Sequence, residues 1–135
     1  MSDQEQIVIV VADDDRDICE LIKMQLSRRG FQVFIADNGE KALELIGTHR
    51  PAVALLDIMM PKLSGLEVVR RIRNNPETAQ IGIMLFSARS GGGNEADLDG
   101  LGIDDYIPKP FSPQELLQRI DGVISRRRTN ESNHP

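Results

Sequence analysis

Continuous apolar runs alternate along the chain with segments whose apolar residues recur every three or four positions. Ile7 to Ala12 is unbroken and β-branched, the pattern of a strand covered on both faces. Ile18, Leu21, Ile22 and Leu26 then recur at helical spacing, with Asp15 placed to cap, Arg28 and Arg29 at the negative end and Gly30 just beyond. Phe31 to Ala36 predicts a second strand. Asn38 or Asp37 caps a helix whose core side is Ala42, Leu45 and Ile46, and Pro51 closes it. Val53 to Leu56 predicts a third strand that runs into Asp57. Pro61 and Gly65 mark a loop, followed by a helix with Leu66, Val69 and Ile72 inward that stops near Asn74-Asn75-Pro76. Ile83 to Phe86, ending at Ser87, and the short Asp105-Tyr106-Ile107 predict the fourth and fifth strands. Ser112-Pro113-Gln114-Glu115 has the cap, the first-turn proline and the capping-box glutamate of a last helix, with Leu116, Leu117, Ile120, Val123 and Ile124 on one face. Between the fourth and fifth strands, Gly91, Gly92, Gly93, Gly100 and Gly102 weaken any helix.

Strands alternating with helices imply parallel pairing through right-handed crossovers, hence an α/β fold with helices on both sheet faces. The chain of 135 residues fits one domain, expected over residues 5–127, with 128–135 as a polar, frayed tail or the start of a linker. Hydrophobic residues at 40% and charged residues at 27% are ordinary for a globular chain. The net charge of −5 argues against nucleic acid as a direct partner. The single cysteine, Cys19, excludes an intrachain disulfide and fits a reducing compartment; its apolar helical setting reads as core rather than as a reactive thiol. No stretch is long and apolar enough to span a bilayer, and the polar start is unlike a signal peptide, so the expected location is the cytoplasm.

The chemistry follows from where the polar residues fall. Asp13 and Asp14 follow the first strand, Asp57 ends the third, Ser87 ends the fourth and Lys109 follows the fifth, so all lie on one edge of a parallel sheet. Open α/β sheets bind ligands at that edge, where the strand order reverses. An order of 2-1-3-4-5 sets the first and third strands side by side and brings Asp13, Asp14 and Asp57 together. Crowded carboxylates repel and raise at least one pKa; a hard dication such as Mg2+ relieves this and keeps coordination positions open for water and phosphate. Lys109 and the Ser87 hydroxyl could neutralise a transferring phosphoryl group, with a carboxylate as nucleophile. Taken singly, each feature has a plainer reading: paired aspartates as a capped turn, a strand-end aspartate as a loop residue, a lone lysine as surface charge. Their joint position on one edge shifts the balance.

The strings Ile9-Val10-Val11-Ala12-Asp13-Asp14-Asp15, Leu55-Leu56-Asp57-Ile58-Met59-Met60-Pro61 with Gly65, Met84-Leu85-Phe86-Ser87-Ala88, and Asp104-Asp105-Tyr106-Ile107-Pro108-Lys109-Pro110-Phe111 resemble response-regulator receiver domains of two-component signalling. The resemblance covers roughly residues 6–125. It implies a flavodoxin-like (βα)5 fold with five parallel strands in the order 2-1-3-4-5, and Asp57 as phosphoacceptor. It implies a metal site for Mg2+, or Mn2+ in its place, made by Asp13, Asp14, Asp57 and the Met59 backbone carbonyl, with Asp14 direct and Asp13 acting mainly through water. Ser87 and Lys109 would bind the phosphoryl oxygens, Ser87 and Tyr106 would form the switch, Met59 and Arg89 would tune phosphoryl lifetime, and the bond before Pro110 would be cis. The implied partners are a sensor histidine kinase or phosphotransfer protein that meets the first helix, and a downstream protein or C-terminal output domain, with dimerisation on phosphorylation as a further expectation. Ser87 stands where threonine is commoner but keeps the hydroxyl, and the three glycines imply a short or mobile fourth helix. Self-modification is expected rather than turnover of an external substrate. A haloacid-dehalogenase-type phosphohydrolase shares the aspartate, metal, hydroxyl and lysine, but needs a second aspartate two residues after the nucleophile, where this chain has Met59. An inert docking module is disfavoured by the intact Asp13, Asp14, Asp57, Ser87 and Lys109.

Overall fold

The computed structural model describes residues 6–88, 100 and 102–132, with the backbone alone at 87, 88 and 128–132. Five strands, β1 (Val8–Ala12), β2 (Gln32–Ala36), β3 (Val53–Asp57), β4 (Gly82–Ala88) and β5 (Asp105–Lys109), form one parallel sheet in the order β2-β1-β3-β4-β5. Among the described residues there are four helices: α1 (Arg16–Arg28), α2 (Gly39–His49), α3 (Gly65–Asn74) and α4 (Pro113–Ser132). The glycine-rich stretch from Gly91 to Gly93, where sequence implies a short helix, lies outside the described residues.

The unbroken apolar runs are explained by a core on each face of the sheet. Side chains alternate along a strand, so Ile9, Val11, Val53, Leu55, Met84, Phe86 and Ile107 pack under α1 and α4. Their neighbours Val10, Ala12, Ala54, Leu56, Ile83 and Leu85 pack under α2 and α3. Truncating Leu55 or Leu56, both fully buried, would cost about 2–5 kcal/mol.

The helix starts follow their caps. The Asp15 carboxylate accepts from the N–H groups of Asp17 and Ile18 (3.1 and 3.3 Å), the Asn38 side chain from Lys41 N–H (2.9 Å), and the Ser112 hydroxyl from Glu115 N–H (3.0 Å). The Glu115 carboxylate turns to Arg119 instead of closing a capping box (3.4 Å). α1 ends before Gly30, whose φ of 92° suits glycine. Three details depart from the periodicity, the first being Leu21 of α1, which shares the helical spacing but is exposed. On α3 the buried residues are Gly65, Val68, Val69 and Ile72, whereas Leu66 packs half-buried against the same core. The backbone of α4 continues to Ser132, past the apolar face that ends at Ile124.

Gly65 is fixed by proximity. Its N–H donates to the Ile58 carbonyl (2.9 Å), and a Cβ there would collide with the Asp57 carbonyl oxygen, backbone that cannot step aside. Gly65→Ala should therefore lower stability by about 2–3 kcal/mol in urea denaturation; an unchanged midpoint would show that the β3–α3 loop can shift to admit the methyl group.

Candidate functional site

Strand register brings the carboxylates together. Ala12 pairs with Leu56 across β1 and β3, so the next residues, Asp13 and Asp57, stand side by side at the carboxyl edge of the sheet. Both continue the side-chain alternation that points toward α1 and α4, as Lys109 does after Ile107. Asp13, Asp14 and Asp57 each offer a carboxylate oxygen lying within 4.8 Å of the other two. Asp13 is fully buried and Asp57 nearly so, while Asp14 is exposed.

The Lys109 ammonium donates to Asp13 Oδ2 at 2.6 Å and to Asp57 Oδ2 at 3.3 Å. The remaining oxygens are met by backbone: Asp15 N–H donates to Asp13 Oδ1 at 2.9 Å, and Met59 N–H to Asp57 Oδ1 at 3.3 Å. Among the described residues no buried side-chain nitrogen or oxygen lacks a partner. The Lys109 ammonium also lies 5.9 Å from the centre of the Phe86 ring, which stacks on Phe111 at 5.2 Å. Burial first, and then the neighbouring Asp13 charge, raise the Asp57 carboxyl above the ordinary aspartate range; Lys109 and the Met59 N–H pull the other way without cancelling this. For Lys109, burial disfavours the ammonium, but the bond and charge of Asp13, with Asp57 adding to them, outweigh it and raise its pKa. These opposite charges on buried groups make a compact, hard-oxygen pocket with an ammonium at its wall. Such a donor set fits Mg2+, which favours carboxylate and carbonyl oxygens with several positions left to water.

The other residues singled out from sequence are placed as follows. The backbone of Ser87 lies in β4 paired with Pro108, whereas its side chain and all of Arg89 lie outside the described residues. Met59 is 75% exposed beside the pocket. Tyr106, on β5, is half-buried against the α2–α3 core, and its carbonyl accepts from Arg119 (3.2 Å). The Lys109–Pro110 peptide is cis. Sequence reading missed the support for Asp13: the Cys19 thiol donates to the Asp13 carbonyl at 3.3 Å. A cysteine one turn into the helix after the acidic run was the only signal. Burial, and then the Asp13 charge, push that thiol up to about 12, so Cys19 should resist alkylation at pH 8 until the chain unfolds, which thiol titration in urea would check.

The raised Asp57 pKa has a stability consequence of definite sign. A carboxylate whose folded pKa exceeds its unfolded value makes ionisation cost stability, fully at pH above the folded pKa and not at all once both states are protonated. In metal-free buffer Asp57→Asn should therefore raise the urea midpoint at pH 7, and the gap to wild type should close as pH falls through the acid range. A midpoint lower than wild type at pH 7 would contradict the electrostatic reading of the pocket. The raised Lys109 pKa has the opposite sense: its stabilisation is complete below the ordinary lysine value and is lost as pH rises through the folded one.

Comparison with known proteins agrees with this geometry. The family model described as the response regulator receiver domain matches residues 9–121. The response regulator MprA of Mycobacterium sp. (strain KMS) is 42% identical over 123 residues, which cover 91% of this chain and 53% of that protein; the chain spans about half the length of the curated relatives it matches. Among solved structures, the receiver domain of Francisella response regulator 1452 is 32% identical with a TM-score of 0.80, covering 90% of this chain and 98% of that one. A response regulator receiver domain protein from Clostridium thermocellum is 26% identical with a TM-score of 0.83, covering 91% and 98%. With the sheet order, the carboxylate pocket and these matches in agreement, the chain belongs to the response regulator receiver domain family of two-component signalling.

Proposed function

We propose that Asp57 accepts a phosphoryl group from a phosphohistidine of a sensor histidine kinase or phosphotransfer protein. In this reading an Asp57 carboxylate oxygen attacks phosphorus, the phosphorus–nitrogen bond to the donor imidazole breaks, and the imidazole leaves as the aspartyl phosphate forms. The observation that carries the reading is the approach of Asp13, Asp14 and Asp57 within 4.8 Å beside the Lys109 ammonium. Asp13, Asp14, Asp57 and the Met59 carbonyl would hold Mg2+, which when bound supplies positive charge to phosphoryl oxygens. Lys109 is already within reach of Asp57 and would meet a phosphoryl oxygen by turning from Asp13. Ser87 would bind another oxygen, and its movement would be linked to Tyr106 as the switch that changes partner binding. Residues 5–127 would act as the receiver unit in the cytoplasm, ahead of a downstream partner or output domain. In the described residues no helix is long and apolar enough to cross a membrane.

A phosphohydrolase reading loses its acid–base group, since the residue two positions past Asp57 is the exposed thioether Met59. With no acid or amide there to orient water, self-dephosphorylation should be slow, with a half-life of minutes or longer for the isolated Mg2+-loaded domain; a half-life of seconds contradicts this. The direct test is incubation with acetyl phosphate and Mg2+, resolved by phosphate-affinity electrophoresis. Wild type should shift by one phosphoryl group, EDTA should block the shift, and Asp57→Asn should show none while keeping its circular dichroism. Labelling of folded Asp57→Asn, or labelling indifferent to EDTA, would sink the assignment.

A further inference from the structure

At the opposite, amino-terminal edge of the sheet, the loops enclose a cleft of about 300 Å³. Its floor is apolar and buried, with Pro51, Ile81 and Ile124, and its rim carries Arg50, Glu77 and Arg127. Arg127 is held in place: its guanidinium makes two bonds to Asp104 (3.1 and 2.8 Å) and one to the Gln80 carbonyl (3.1 Å). Asp104 is thereby saturated, since it also accepts from Arg73 and from Ile83 N–H.

Arg50 differs. It follows α2 with φ 45° and ψ 66°, a left-handed backbone that glycine or asparagine adopts at ease and an arginine adopts under strain. Its side chain pairs with Glu77 at 2.7 Å, but both groups are more than half exposed, so the pair adds little to stability. Strain kept at a rim position points to use of the side chain. The surroundings favour an anionic visitor: Arg28, at the end of α1, and Arg126, late in α4, are exposed, Arg29 being paired with Asp121, and among the described residues Asp13, Asp14 and Asp57 cluster at the other edge.

We propose that this cleft docks an acidic segment of a partner protein, with an apolar side chain on the Pro51–Ile81–Ile124 floor and a carboxylate replacing Glu77 on Arg50. A nucleic-acid backbone would satisfy the arginines but leave the apolar floor unfilled, so the peptide is the better match. The site is separate from the phosphoryl pocket and does not depend on it.

The test titrates the 15N-labelled full chain with a fluorescein-labelled hexapeptide carrying one leucine flanked by glutamates, read by amide shifts and anisotropy. Shifts should centre on Arg50, Ala52 and Gln80 and weaken with salt. Arg50→Gly and Arg50→Asn relieve the backbone, so the urea midpoint should hold or rise while affinity falls at least about fivefold. Glu77→Gln frees the guanidinium and should tighten binding by about threefold. The proposal is overturned if no binding is measurable at millimolar peptide, if the Arg50 variants bind like wild type, if a serine-for-leucine peptide binds equally well, or if duplex DNA displaces the peptide.

Discussion

Carboxylates packed beside one another without water repel, and Asp13 and Asp57 are packed in that way by the register of β1 against β3. The sheet does not avoid the conflict; it answers it with Lys109, whose ammonium reaches both groups from β5, on the far side of β3 and β4. One cation therefore ties three strands at a single point. A change in the charge carried by Asp57 alters what Lys109 is attracted to. In the proposed function that change would act on β5, the strand that also bears Tyr106, three positions before the lysine, and the attraction would carry the state of the pocket to the edge of the sheet.

The surrounding fold keeps this pocket tight. Apolar cores cover the central strands on both faces. Gly65 lets α3 begin hard against the Asp57 backbone, so the loop carrying Met59 leaves the strand in a fixed direction. At the opposite edge Arg73 ties α3 to the Ala79, Ile81 and Gly102 carbonyls and shares Asp104 with Arg127, fastening α3, β4 and α4 to the start of β5.

The strands and the shared edge were legible because they rest on signals that survive folding: β-branched runs with no polar interruption, and polar residues placed at each run's end. The caps at Asp15, Asn38 and Ser112 were legible for the same local reason. What escaped was set by contact between distant residues. The spacing of α3 offers Leu66 and Val68 alike, and only the packing of the helix on the sheet shows that Val68 is the more deeply buried. The Phe86–Phe111 stack joins segments that no local pattern relates, and the Cys19–Asp13 bond was hinted at only by the place of the cysteine one turn into α1. The left-handed Arg50 breaks a local rule, since glycine is expected after a helix, and such a break is visible only once the backbone is known.

The account rests on three carboxylates acting as one site, and calorimetric titration of the chain with Mg2+ at pH 7 tests that most directly. It predicts saturable binding of one ion per chain, strongly weakened by Asp14→Asn and by Asp57→Asn alike. Binding that is absent in the folded wild-type chain, or that survives both substitutions unchanged, would contradict it.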